Sequence, residues 1–319
     1  MRIKSLFVLY DENDWGAATP LLNSPETRRS FEEFYTIANA QSIQVYRANI
    51  DWYNTQSKAF EKAWTFKHGN WIKVKNPPKP DAFLDKVAGK HNHQYFSKKI
   101  EMSHFKPFVN DPTFRTFFDN KLHQYIAFGA HMAPSHFASN KNQFLHVLKK
   151  IKSDRVVVKL LYGSGGKEVT IANKSKMRYI KFDFPVLVQE FIPTAGIPGF
   201  SNKKEVADLR LVFINHELIY ALSRKAKGKS LFTNFHQGAS AILVPKNRIP
   251  LECLAVTKEI QKKIKQFEKA HYSLDFLFSQ KGKPVFIEIN TTPGFDLLRL
   301  VGSKKIREQH AKKLLDLFI

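Results

Sequence analysis

Asp275, Glu288 and Asn290 are the residues of this chain whose types and spacing most directly suggest chemistry. They lie in HYSLDFLFSQKGKPVFIEINTTPGF, residues 271–295. Apolar residues alternate on both sides of Lys281-Gly282, which predicts a β-hairpin. A turn symmetric about that pair sets Asp275 opposite Glu288, with Asn290 two residues along on the same face. Leu274, Phe276 and Phe278 then share the other, buried face with Ile289, Ile287 and Val285. Facing carboxylates repel one another unless a cation lies between them or the edge is solvated. Three hard oxygens on a stiff hairpin suit magnesium, which keeps some waters and fills its remaining positions with phosphate oxygens.

The elements upstream must position that face. Residues 154–173, DRVVVKLLYGSGGKEVTIAN, predict a strand, a glycine-rich turn and a second strand, with Lys159 near the first strand's end. Glycines let backbone N–H groups approach phosphate oxygens closely, but GSGG also suits a plain hairpin turn. It is not a Walker A loop, because Glu168 follows Lys167 and no helix is expected. Residues 185–193, PVLVQEFIP, predict an apolar strand. Residues 207–227 predict a hairpin turning at Asn215-His216, with Asp208 and Arg210 near its entry and Arg224 near its exit. FTNFHQGASAILVP follows, with Asn234 and His236 ahead of a further strand.

Residues 111–128 read as one helix, with Asp111 as cap, Pro112 in the first turn and Gly129 at its end. Further helices are expected over 140–152, 250–270 and 304–319. The beginning is strand 3–10, a helix from Pro25 to about Ala40 capped by Ser24, and a strand over 42–50. That order predicts a small parallel α/β layer. A hairpin over 60–75 turning at His68-Gly69-Asn70 and a short strand at 81–86 complete it. His91, His93 and most other histidines are expected as surface or capping residues.

The 319 residues suffice for two or three units sharing substantial cores. Cys253 is the single cysteine, which excludes an internal disulfide framework. No apolar run is long enough to span a membrane, and the start turns acidic too early for a signal peptide, so a cytoplasmic location is expected. The net charge of +23 falls mostly after residue 115 and implies acidic partners: nucleotide phosphates, an acidic peptide or a nucleic acid.

Taken in order, these signals resemble the ATP-grasp superfamily, and most closely its RimK-like branch, which includes glutathione synthetases and ligases that add glutamate to a protein. The resemblance covers about residues 111–300. It implies an α/β fold, α+β in parts. An N-terminal pre-ATP-grasp domain (1–110) would be followed by a central lid subdomain (111–193) and a C-terminal subdomain (194–319), the last two sandwiching ATP. It implies that Lys121 and Lys159 hold nucleotide phosphates and that Gly163, Ser164, Gly165 and Gly166 form the loop closing over them. Gln189 would precede a hinge, Glu190, Phe191 and Ile192, whose backbone pairs with adenine, with Asp208 close to the pocket. Arg210 and Arg224 resemble arginines near the transferred phosphate and the carboxylate, and Asn234 an asparagine beside the phosphates. Asp275, Glu288 and Asn290 match the ligands of Mg2+, or of Mn2+ in its place.

Two positions depart from the family pattern: Leu160 stands where proline commonly follows the strand lysine, and Glu168 where a further glycine is usual. The 194–205 loop also looks long, a candidate for substrate contact or an inert insertion. The implied activity is ATP-dependent carboxylate–amine ligation through an acyl phosphate, on an amino acid or an acidic peptide or protein tail. Family members are often oligomers, and a nucleic acid is not an expected partner. The alternatives are phosphoryl transfer to a hydroxyl, and a basic nucleotide- or nucleic-acid-binding protein without catalysis.

Overall fold

The computed structural model describes residues 3–163, 168–228, 230–233 and 238–318. Three main sheets organise them. The N-terminal sheet has six strands, the four from Gln44–Asn49 through Ser5–Tyr10 and Ala82–Asp85 to Phe108–Val109 running parallel. The hairpin Lys62–Lys67/Asn70–Lys75 extends it as an antiparallel edge, turning at His68-Gly69 with both residues at positive φ. Strand Ser5–Tyr10 is buried along its whole length, as a central parallel strand covered on both faces should be. Helix Pro25–Ala40 begins at the proline as expected, and Phe31, Phe34, Tyr35 and Ala38 form its buried face.

The middle sheet is antiparallel, in the order Val169–Asn173, Arg155–Leu160, Val186–Glu190 and Ser135–Ala138. It has a core of its own, in which Phe144, Val147 and Leu148 of helix Lys141–Lys150 pack on Val156, Val158, Val186 and Val188. The third sheet centres on His271–Ser279. That strand lies between Ala207–Ile214 and Pro284–Asn290, and also pairs with the short Thr194–Ala195. Strand Glu217–Lys225 continues the sheet to Ser240–Leu243.

One expectation is corrected. The segment 111–128 is two helices, Pro112–Phe118 and Lys121–Phe128. Asn120 breaks it, because its side chain accepts hydrogen bonds from the N–H groups of Leu122 and His123 and so starts a new helix. Most described histidines are exposed or half-buried, as expected, and two are not. His271 and His310 are buried with their Nε2 atoms 3.1 Å apart, and burial pushes both well below the usual imidazole range.

The N-terminal sheet meets the rest of the chain through buried charge. At the end of strand Ala82–Asp85, Asp85 lies 2.8 Å from both Lys99 Nζ and Arg115 Nη1, and the side chains of all three are fully buried. Arg115 also donates to Val87 O at 2.7 Å and to Asp119 at 3.0 Å, while Asp119 accepts from Asn92 and Thr291. Desolvation alone would raise the Asp85 pKa; Arg115 and Lys99 outweigh it and hold the carboxyl below its ordinary value. A lowered carboxyl pKa stabilises the fold above the unfolded value of about 4, and the contribution is lost as pH falls through the folded one. Asp85→Asn should therefore destabilise the protein by about 3–5 kcal/mol at neutral pH in chemical denaturation and flatten the acid limb of its stability curve. An unchanged denaturation midpoint would contradict the assignment.

Candidate functional site

The acidic hairpin places Asp275 directly opposite Glu288. The expected apolar register holds for Leu274 against Ile289 and then breaks: a β-bulge follows Asp275, so Phe276 pairs with Phe286 and Leu277 with Val285. Phe286, not Ile287, is therefore the buried partner of Phe276. The extra residue leaves Ile287 beside Glu288 on the cleft side, where Leu277 and Val285 join it. The bulge thus builds an apolar floor next to the carboxylates.

Above that floor lies a cleft whose other wall is the middle sheet. Val157, Lys159 and Ile171 come from the glycine hairpin, and Gln189 to Ile192 from the end of strand Val186–Glu190. Lys121, Gly163, Asp208, Arg224, Asp275 and Glu288 complete the polar lining. Lys121, at the first position of its helix, donates to Gly163 O at 2.8 Å, tying that helix to the turn. Gly163 has a φ of +120°, which a side chain would strain. Lys159 is buried, and among the described residues no anion is bonded to it. Desolvation lowers its pKa and Lys121 adds to that, so the ammonium is pushed down to about 8 despite the attraction of Glu288.

At the hinge the Phe191 N–H donates to Ser153 Oγ at 3.0 Å and the Glu190 N–H to Pro134 O at 2.9 Å. The Ile192 N–H makes no hydrogen bond with another described residue, and it lines the cleft. Of the three hinge residues the sequence offers, Ile192 is the one whose N–H bonds no described residue. The Gln189 side chain is buried and donates to Ser135 Oγ at 2.9 Å, so it braces the strand.

The arginines are held by carboxylates. Arg210 binds both oxygens of Asp275, at 2.8 and 2.6 Å; Arg224 reaches Asp275 at 2.7 Å and Asp208 at 2.9 and 2.5 Å. Thr233, which the sequence did not single out, donates its hydroxyl to Asp208 at 2.6 Å. Burial would raise the Asp275 pKa, yet the two guanidiniums hold it down at about 2. The Glu288 carboxylate makes no hydrogen bond with another described residue. Asn290 Oδ1 accepts from the Thr292 N–H at 2.9 Å and retains a second lone pair.

No group of three His, Cys, Asp or Glu side chains that could hold a metal occurs among the described residues. The expected trio counts three only through the Asn290 amide. Two available hard oxygens beside an already ionised carboxylate fit magnesium, which needs few protein ligands when phosphates and waters supply the rest. Ser164, Gly165, Gly166 and Asn234 lie outside the described residues.

Beyond Glu288 the cleft opens into a second cavity of about 700 Å³, within the range of small-molecule sites. Arg210 and Asn290 border it from the third sheet, and Lys86 and Lys90 from the loop after strand Ala82–Asp85. Sequence reading missed Lys86, because only the parallel N-terminal sheet brings residue 86 to Pro293 O, 2.9 Å from its Nζ. Burial and the charge of Arg115 push its pKa down to about 7. Also missed were two amide clamps. Gln124 donates to Ile289 O at 3.1 Å and accepts from the Ile289 N–H at 2.9 Å, fixing the backbone next to Glu288. Asn110 donates to His271 O and Thr291 O and accepts from the His271 N–H.

Residues 125–317 match the RimK-like ATP-grasp domain, and the chain belongs to that family. Among its relatives, the probable alpha-L-glutamate ligase of Psychromonas ingrahamii is 27% identical over 184 residues, 56% of each chain. That of Halorhodospira halophila is 29% identical over 189 residues, again 56% of each. The chain spans about half the length of the curated relatives it matches. Solved structures share the fold more fully at low identity. D-alanyl-alanine synthetase A from Vibrio cholerae superposes with a TM-score of 0.64 at 12% identity, over 99% of both chains. A Chryseobacterium gregarium RiPP-associated ATP-grasp ligase, solved with ADP and a leader and core peptide, gives 0.60 at 14%, over 99% of this chain and 96% of its own.

A phosphate group placed near Lys159 raises its pKa, so nucleotide binding should take up a proton where the free lysine is partly neutral. Calorimetry of ADP binding in two buffers of different ionisation enthalpy should show uptake at about pH 9 and little at about pH 7. Lys159→Met should remove the difference; the same uptake in that variant would place the titrating group elsewhere.

Proposed function

We propose that this chain is an ATP-dependent carboxylate–amine ligase. The observation that carries the reading is a cleft in which two lysines, the hinge and an apolar floor converge, opening past Glu288 into a second cavity bordered by both cations and carboxylates. Adenine would lie on Leu277, Val285 and Ile287 with the Ile192 N–H as its donor. Lys121 and Lys159 would neutralise the phosphates. Glu288 and Asn290, with Asp275, would hold magnesium, which when bound supplies positive charge to the phosphate oxygens.

The chemistry requires two steps. A substrate carboxylate oxygen attacks the γ-phosphorus, giving an acyl phosphate and ADP. An amine then attacks the acyl carbon and inorganic phosphate leaves. The chain's work is positioning and charge neutralisation, and no side-chain nucleophile is needed. Cys253 agrees with this: it is fully buried in helix Leu251–Ile264, and burial raises its thiol pKa to about 12. The second cavity carries Arg210, Lys86 and Lys90 together with Glu12, Asp119 and Asp296, and its cations would meet the carboxylate of an acidic amino acid or peptide. The names of the glutamate ligase relatives point the same way.

Release of ADP across pools of amino acids and acidic peptides tests the proposal. Turnover should require both a carboxylate and an amine, and yield an amide with free phosphate. Glu288→Gln should lower the rate about 100-fold or more, the size of an electrostatic contact made at transferring charge. A phosphorylated product, or ADP release indifferent to amine, would overturn the ligase reading.

A further inference from the structure

Five residues border both cavities: Lys121, Gly163, Glu168, Arg224 and Glu288. A molecule in the second cavity must meet the nucleotide's terminal phosphate at this junction. Of its two cations, Arg224 is engaged by Asp208 and Asp275, while Lys121 donates to the neutral Gly163 carbonyl and keeps its charge for a phosphate. Glu288 faces Asp275 on the acidic hairpin. Glu168 is different. Its backbone is fixed at the end of the glycine hairpin's ladder, where its carbonyl accepts from the Leu160 N–H at 3.0 Å. Its side chain is half-buried and lies against Gly163 so closely that a Cβ there would fall 2.4 Å from the Glu168 carboxyl carbon. No described residue bonds or ion-pairs with that carboxylate.

An unpaired carboxylate beside a phosphate-transfer point repels the phosphates unless the reaction brings it a cation. Magnesium, assigned above to Glu288 and Asn290, is one such cation; of the two substrates to be joined, the amine is the one that arrives positively charged. Resting on that reading, we infer that Glu168 receives the ammonium group of the amine substrate and takes its proton during amide formation. The nitrogen lone pair forms the C–N bond at the acyl carbon, the C–O bond to phosphate breaks, and phosphate leaves with the electron pair. Nitrogen sheds two protons on the way from ammonium to amide. The first passes to the Glu168 carboxylate and frees the lone pair, and the second leaves to water or the departing phosphate once the C–N bond has formed. Glu168 then returns its proton to water. A glycine at this position supplies no such group, so Glu168 would make this chain more demanding of a protonated amine than relatives that have glycine there.

The test compares two nucleophiles in the wild-type enzyme and in Glu168→Gln, Glu168→Gly and Glu168→Asp. L-Glutamate presents an ammonium; hydroxylamine is uncharged at neutral pH and traps an acyl phosphate as a hydroxamate. Triglutamate serves as the carboxylate, with ATP and magnesium. Glu168→Gln and Glu168→Gly should raise the KM for L-glutamate relative to that for hydroxylamine by roughly 10- to 100-fold, the worth of one hydrogen bond to a charged group. Glu168→Asp should restore part of the difference, and the affinity for ADP should stay within about twofold of wild type, below one hydrogen bond's worth. Equal losses with both nucleophiles, no loss with either, or a rise in the magnesium needed for half-maximal rate would overturn the inference. A wild-type enzyme silent with both nucleophiles would instead overturn the ligase reading, and this inference with it.

Discussion

A carboxylate with almost no contact with water stays ionised only beside fixed positive charge, and Asp275 has two guanidiniums. Desolvating an ion costs several kcal/mol, so the group of Asp208, Arg224, Asp275 and Arg210 is stable only as a whole. Its members come from three adjacent strands, which ties the register of the third sheet to the pairing of these charges. That register in turn sets Glu288 opposite Asp275 and leaves Ile287 and Val285 beside it as a floor. The same pairing keeps Arg210 at the edge of the second cavity with a restricted set of positions. The site is thus pre-organised by buried electrostatics, in the sense that charged groups need little rearrangement when ligands arrive.

Much of this was legible in the chain itself. Alternation around Lys281-Gly282 was enough to place Asp275 against Glu288, because period-2 geometry leaves few registers that bury Leu274 and Phe276. The glycine hairpin and the hairpin turning at Asn215-His216 were equally readable from local turn chemistry. The bulge after Asp275 was not, since one extra residue changes no composition and Ile287 is as apolar as Phe286. Asn120 was read as a mid-helix residue, although its side chain has the local hydrogen-bonding capacity that starts helices.

What no local pattern carried is contact across long sequence separations. Asp85, Lys99, Arg115 and Asp119 look like ordinary surface charges along the chain, yet the first three are fully buried in the structure. Arg115 and Asp119 do form the i,i+4 pair that their spacing allows, but Arg115 also bonds Val87 O and both reach Thr291, contacts that no local pattern carries. Likewise, the family resemblance supplied the order of the phosphate-binding lysines but could not show that Lys121 is already bonded to Gly163, or that the Phe191 N–H is turned to Ser153. Roles transferred by motif need geometry to say which atoms are free.

The Gln124 clamp has a consequence beyond positioning. By donating to Ile289 O and accepting from the Ile289 N–H, one side-chain amide reproduces the two-point pairing that a neighbouring strand would make. Among the described residues strand Pro284–Asn290 pairs with His271–Ser279 alone, so its outer side is a sheet edge, the kind of surface on which chains template onto one another. A residue that holds the backbone beside Glu288 therefore also blocks edge-to-edge self-association at the place where an unpaired strand would be most hazardous. Selection for solubility and selection for a well-placed carboxylate would act on the same amide.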